Sequence, residues 1–235
     1  MVAVWDLNRI GFRLTGYWLA TVYLHRNQLS HRRSSAADCD EFLVPDPRRY
    51  QSIREYVDNM TSDCVRPVAF NLIQIRGKEL PLDPDRPILD QRSYCQFFTP
   101  ECKPVLAKVP IRYEAGFHHC DRKALLDPEL LLVHSKFADF SAALARLSLT
   151  RKMAWSERAI QAGWGNHSRS GDPELIGSFD TVERFLRAGG LSEPLEPVEL
   201  AAKTNSEIDE RGPPYRCTPF SGPLAMVPEW LRGTV

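Results

Sequence analysis

The chain has 235 residues, 43% of them hydrophobic, enough to bury a sizeable core in one domain with appendages or in two small ones. Thirty basic residues balance thirty acidic ones, so the overall charge gives no reason to expect nucleic acid, a strongly anionic membrane or a polyanionic substrate, and any charge argument has to be local. Six widely spaced cysteines with no CxxC pair argue against a zinc ribbon or redox motif and read as mostly reduced thiols.

The start carries no basic patch followed by a cleavable apolar core, so no secretory signal is expected and a cytoplasmic setting suits the unpaired thiols. The early apolar run GYWLATVYL, Gly16 to Leu24, is far shorter than the roughly 20 residues of a spanning helix. From His25 to Ala37, HRNQLSHRRSSAA has neither helical nor strand periodicity and reads as a solvated loop or disorder, with a basic patch touching phosphate or lipid head groups as the alternative.

From Asp38 the pattern sharpens. Phe42, Leu43 and Val44 form a short apolar run, Pro45 to Pro47 turns the chain, and Tyr50, Ile53, Val57 and Met60 follow at helical spacing: strand, turn, helix. VRPVAFNLIQI, Val65 to Ile75, predicts a strand buried on both faces, hence a parallel or mixed sheet. Between Glu79 and Pro110 six prolines exclude long helices and leave loops with short strands. LLLV, Leu130 to Val133, reads as another buried strand, and Phe137, Phe140, Leu144 and Leu147 as one face of a helix. DTVERFLRAGG, Asp180 to Gly190, has an N-cap aspartate, a glutamate three residues on and two glycines to end it. After Leu191 the chain turns proline-rich, and an extended tail is expected. The resulting division is an atypical segment 1–37, a core 38–150, a helical region 151–190 and the tail 191–235.

Asp38, Asp40 and Glu41 lie within four residues beside a strand-like run, and like charges this close must be hydrated, paired or metal-bound. Carboxylates suit Mg²⁺ or Mn²⁺, which commonly bind one or two of them plus substrate phosphates. A solvated turn is the plainer reading. Gly116, Phe117, His118 and His119 precede His134 at the end of LLLVH; an imidazole there can ligate a metal, contact a phosphate or serve as a hydrogen-bonded structural residue.

In order, DCDEFLVPDPRRY (38–50), PILDQRSY (87–94), KPVLAKVPI (103–111), GFHH (116–119) and LLLVHSKFADF (130–140) make the chain resemble a glycosyltransferase family 2-like group with DxDEF, GxH and LLLxH motifs. The resemblance spans about the middle hundred residues. It implies an α/β fold of GT-A (Rossmann-like) type, a mixed sheet flanked by helices, with an incomplete nucleotide-binding half before the motif and a helical and extended C-terminal region. A complete GT-A domain carries several strands before the acidic motif, and an apolar strand leads into it; here 37 residues precede it, ending in SSAA.

By this resemblance a sugar passes from a nucleotide-sugar donor to a glycan or other hydroxyl acceptor, as in surface polysaccharide biosynthesis, with Mn²⁺ or Mg²⁺ on the diphosphate. Asp38 would contact ribose or metal, Asp40 and His119 would complete the metal site, and Gly116 would permit close backbone approach. Arg92 and Lys103 are candidates to neutralise donor phosphate. An inverting transfer needs a general base; Glu79, Asp83, Asp85 and Asp90 are all available, Glu79 and Asp90 foremost, and the sequence does not choose among them. Cys39 and Cys120 invite a zinc reading, but their spacing matches no zinc module. The competing functions are a non-catalytic remnant or interaction module that keeps the core, and a metal-dependent phosphoester hydrolase. The resemblance places the work in the cytoplasm, with peripheral contact at the membrane face left open.

Overall fold

A computed structural model describes residues 20–24, 33–38, 40–114, 117–163, 165–190, 193–208 and 212–235. In chain order the strands are β1 (Ala20–Leu24), β2 (Arg33–Ala37), β3 (Glu41–Pro45), β4 (Cys64–Ile73), β5 (Tyr94–Phe98), β6 (Leu106–Ala107), β7 (Leu125–Phe137) and β8 (Ser221–Met226). The helices are α1 (Ile53–Asn59), α2 (Phe140–Arg151), α3 (Glu157–Gln161), α4 (Asn166–Arg169), α5 (Asp172–Arg187) and α6 (Pro197–Ser206). The fold is α/β, with a mixed sheet flanked by helices. Two units divide it: unit 1 is Met1–Phe70, Phe98–Val133 and Glu196–Ser221, and unit 2 is Asn71–Phe97, His134–Leu195 and Gly222–Val235.

In unit 1, β2 lies antiparallel between β1 and β6, with Ala20 opposite Ala37 and Ser34 opposite Ala107, and β6 continues antiparallel onto β4, Cys64 opposite Ala107. The loop expected up to Ala37 is therefore corrected at its end: RSSAA is a strand. Its conformation is held by backbone pairing with β1 on one edge and β6 on the other, a signal that a polar sequence does not carry. Residues 25–32 lie outside the described residues. All ten residues of β4 are buried, as its β-branched and aromatic composition predicts.

The strand, turn and helix expected from Phe42 to Met60 are present as β3 and α1. Ser52 caps α1 by accepting the Glu55 N–H at 3.2 Å, while the Glu55 carboxylate accepts the Gln51 N–H at 2.7 Å. Tyr56 and Val57 face inward. The Tyr50 and Tyr56 hydroxyls donate to Glu129 and Asp127 at 2.6 and 2.7 Å, which ties the start of α1 and the loop before it to β7. β7 pairs with β3 as well as β4, so the acidic stretch ahead of β3 is hung from a buried strand.

In unit 2, β5 and β8 are neighbours, and α2 and α5 pack through Ala143, Leu147, Leu175 and Phe179. Phe137 belongs to the end of β7 rather than to the helix; α2 starts at Phe140, with the Asp139 carboxylate accepting the Ala142 N–H at 2.9 Å. The helix read from Asp180 begins eight residues earlier, at Asp172, and Asp180 is interior to it. Asp172, Pro173 and Glu174 form an ordinary helical first turn, and Leu175, Phe179, Val182 and Leu186 make the inward stripe. The interior carboxylate is not a cap but a partner: Arg76 pairs with Asp180 and makes two bonds to Glu183, at 2.8 and 3.0 Å.

The expected extended tail is also corrected. Pro197–Ser206 is helical in unit 1, because Pro197 is tolerated in a first helical turn and Ala201 and Thr204 supply a buried side, and Ser221–Met226 is a strand that belongs to unit 2 from Gly222 onward. No helix among the described residues is long and apolar enough to cross a membrane.

Candidate functional site around Asp38, Lys103 and His119

The acidic stretch is a turn between β2 and β3, closed by the Glu41 N–H on the Asp38 carbonyl at 3.1 Å and by the Asp38 N–H on Glu41 Oε2 at 2.9 Å. An aspartate at the first position of such a turn is favoured. Opposite it stands Lys103, whose Nζ is 2.7 Å from Asp38 Oδ2 and 2.8 Å from Glu41 Oε1. The three side chains differ in setting: Glu41 is 0% exposed, Lys103 5% and Asp38 47%. Burial pushes the Lys103 ammonium toward deprotonation, but the Glu41 and Asp38 carboxylates outweigh it and hold the pKa above the ordinary lysine value. One buried cation thus serves a buried carboxylate and a half-exposed one.

Asp40 occupies the same turn and is partly exposed. Cys39 and Gly116 lie outside the described residues, so the zinc reading of Cys39 and the backbone role of Gly116 have no structural counterpart here. Cys120 is buried beside Cys64, Ala107 and Ala124, and its thiol donates to the Arg122 carbonyl at 3.3 Å. With Cys64, Cys95, Cys102 and Cys217 it is a free thiol.

His118 and His119 follow a tight loop in which Phe117 adopts a left-handed backbone, φ 63°, with the Phe117 N–H on the Glu114 carbonyl at 3.1 Å and the Glu114 N–H on the His119 carbonyl at 2.9 Å. His118 Nδ1 is 2.6 Å from the Pro100 carbonyl. His119 is the more unusual ring: its Nδ1 is buried without a hydrogen-bond partner. Burial, then the Arg66 charge, lower its pKa below the ordinary histidine value, which keeps it neutral at physiological pH. Glu114 acts the other way, and Arg216 and His118 add to the lowering. A neutral imidazole is the right form for a metal, but the two arginines suit an anion better than a cation.

Among the described residues no three His, Cys, Asp or Glu side chains gather as a metal set. The trio Asp38, Asp40 and His119 is therefore not assembled as ligands. Two carboxylates on one turn still fit the way Mg²⁺ or Mn²⁺ binds when phosphate oxygens complete the shell.

The other candidates are engaged elsewhere. Arg92 is in unit 2, fully buried; its Nε donates to the Ala138 carbonyl, one terminal nitrogen donates to the Gln91 carbonyl at 2.5 Å, and the other is 3.9 Å from Asp139 Oδ2. Glu79, also in unit 2, accepts the Ile75 and Ser93 N–H groups, each at 2.8 Å, and Asp90 accepts the Gly233 N–H at 2.7 Å. Asp83 Oδ1 accepts the Asp85 N–H at 3.0 Å. These are carboxylates holding loops. His134 is buried with its Nδ1 2.7 Å from Asn71 Oδ1, the hydrogen-bonded structural alternative.

Two residues escaped the sequence reading. Glu41 was seen as one of three acids but not as the buried anchor of Lys103, and Arg66, a lone charge in an apolar run, was not singled out. Arg66 is fully buried and donates to the Tyr215 carbonyl at 2.8 Å and, at 3.4 Å, to the Cys102 carbonyl and Cys217 Sγ. The lone charge was the available signal.

No family model, curated protein or solved structure matches this chain.

Proposed function

We propose that the chain is a metal-dependent glycosyltransferase of GT-A type, transferring a sugar from a nucleotide diphosphate donor to a hydroxyl acceptor. The observation that carries the reading is the meeting of two motifs 65 residues apart: Lys103, from KPVLAKVPI, lies on Asp38, from DCDEF. The resemblance implies ribose or metal for Asp38 and donor phosphate for Lys103, and β2 supplies a strand leading into the acidic motif.

In this reading Asp38 and Asp40 hold Mn²⁺ or Mg²⁺ on the donor diphosphate. The bound cation supplies Lewis-acid stabilisation of the charge that develops on the departing nucleoside diphosphate. Lys103 fixes Asp38 through its Oδ2 while Glu41 keeps the lysine charged and in place. Neutral His119, in the field of the Arg66 and Arg216 charges, serves phosphate oxygens rather than the cation. No general base is assigned, since Glu79 and Asp90 are occupied by backbone N–H groups.

The same ion cluster favours a second reading, a non-catalytic interaction module, because Lys103 already compensates two of the three acids internally. Calorimetric titration with UDP and GDP, with and without Mn²⁺, separates the two. Mn²⁺-dependent binding that disappears in Asp40→Ala supports the transferase. A folded protein that binds neither nucleotide under either condition leaves the interaction module.

A further inference from the structure

We propose that Arg66 and His119 together form a metal-independent binding site for one phosphate group, whose oxygens accept from Arg66 Nε and His119 Nδ1. The site shares His119 with the transferase reading and rests on it for the choice of phosphate, but needs neither the acidic turn nor a cation. Both atoms are buried without a hydrogen-bond partner. Arg66 is 1% exposed, and its other nitrogens are served unevenly: Nη2 donates to the Tyr215 carbonyl at 2.8 Å, while Nη1 has only 3.4 Å contacts, with the Cys102 carbonyl and Cys217 Sγ. Among the described residues no carboxylate pairs with it. A guanidinium does not shed its proton, so a charge buried this completely calls for an anion.

The fold brings the two side chains together by two routes, both inside unit 1. Cys64 and Arg66 are two apart on β4 and share one of its faces, and Cys120, next to His119, packs against Cys64. From the other side, Arg216 follows Tyr215 and pairs with Glu114 at 3.0 Å, and the Glu114 N–H donates to the His119 carbonyl at 2.9 Å. The Arg66 charge is accordingly the second cause, after burial, of the low His119 pKa. His119 is half-buried and Phe117 beside it is exposed, so the site lies close to the surface. The nearby groups do not supply the missing charge. Glu114 is spent on Arg216, burial holds Cys217 as a neutral thiol, and the Cys120 thiol, brought down to about 7 beside Cys64, donates to the Arg122 carbonyl at 3.3 Å rather than meeting the guanidinium. A buried water would satisfy both nitrogens but leave the charge uncompensated. Phosphate fits better than a carboxylate because its oxygens point in several directions, as donors from two separate elements require.

Isothermal titration calorimetry of the full chain with sodium phosphate in EDTA at neutral pH reads the site without a metal. Saturable binding is expected, weaker by at least about tenfold in His119→Leu and in Arg66→Gln. UMP, which carries the same group on a nucleoside, separates the two sources: affinity at least about tenfold above that of free phosphate assigns the site to a nucleotide, and equal affinity assigns it to the free ion. Thermal unfolding of each variant is recorded alongside, and the half-buried His119→Leu decides if Arg66→Gln does not fold. The proposal is overturned if neither phosphate nor UMP binds in EDTA, if acetate binds as tightly as phosphate, or if folded His119→Leu binds like the wild type. Binding of phosphate or UDP that appears only with Mn²⁺ overturns this site and leaves the transferase standing. Phosphate binding in EDTA with no Mn²⁺-dependent UDP binding keeps this site and removes the transferase.

Discussion

Lys103 and Arg92 are both cations buried almost completely, one in each unit, and their surroundings solve the same problem in opposite ways. Lys103 is met by two carboxylates within 2.8 Å, and its charge is held more firmly than in water. Arg92 is met by backbone carbonyls, with Asp139 at 3.9 Å; burial lowers its pKa, and Glu79 and Asp139 only partly offset that. A lysine presents a compact charge that needs an anion at close range, whereas a guanidinium spreads its charge over several donors that carbonyl dipoles can satisfy. The charge-paired site is the more brittle, since losing one partner leaves an uncompensated buried ion.

The comparison is broken or sharpened by four changes, taken from the largest expected effect downward. Lys103→Met strands the Glu41 carboxylate and should cost about 3–5 kcal/mol in urea unfolding. A loss below about 1 kcal/mol would mean that Glu41 reaches water or takes a proton cheaply. Arg92→Met removes the cation together with its bonds to the Ala138 and Gln91 carbonyls, and about 1–3 kcal/mol is expected. If it equals or exceeds the lysine change, carbonyl dipoles hold a buried charge as tightly as carboxylates do, and the contrast fails. Asp38→Asn should cost no more than about 1 kcal/mol, because the carboxylate is half exposed and Glu41 still holds the lysine. In the transferase reading the same change weakens Mn²⁺-dependent UDP binding, so stability and binding part company at this position.

The smallest effect concerns His119. Its folded pKa is depressed, so its contribution to stability is complete above the unfolded value of about 6.5 and is lost as pH falls through the folded value. His119→Gln should flatten the stability profile on the acidic side of that value and leave it unchanged at pH 8. An unchanged acid limb in the variant would mean that other groups set it.

The elements most legible in the sequence were those whose own composition fixes them. The apolar run of β4, the LLLV segment of β7 and the strand, turn and helix after Asp40 are recognisable because burial of their side chains requires no knowledge of a partner. β2 was not legible, since Arg33, Ser34 and Ser35 gain their strand conformation from β1 and β6 on either edge. The start of α5 was visible in Asp172, Pro173 and Glu174 but was outweighed by the cap-like look of Asp180, whose role depends on Arg76 far away in the chain. At the site, the acidic turn and the histidine loop were legible as motifs. That Lys103 would choose Asp38 and Glu41, and that His119 would sit beside Arg66, are facts of tertiary packing which local spacing does not encode.

The buried thiols offer a use beyond packing. Cys95 lies in unit 2, whereas Cys64, Cys102, Cys120 and Cys217 lie in unit 1, and all five are shielded from solvent. A reagent that alkylates thiols reaches them only when the surrounding segment opens. Mass-resolved labelling over time would therefore act as a pair of clocks, one running on the opening of each unit, and unequal rates would show which half lets go first.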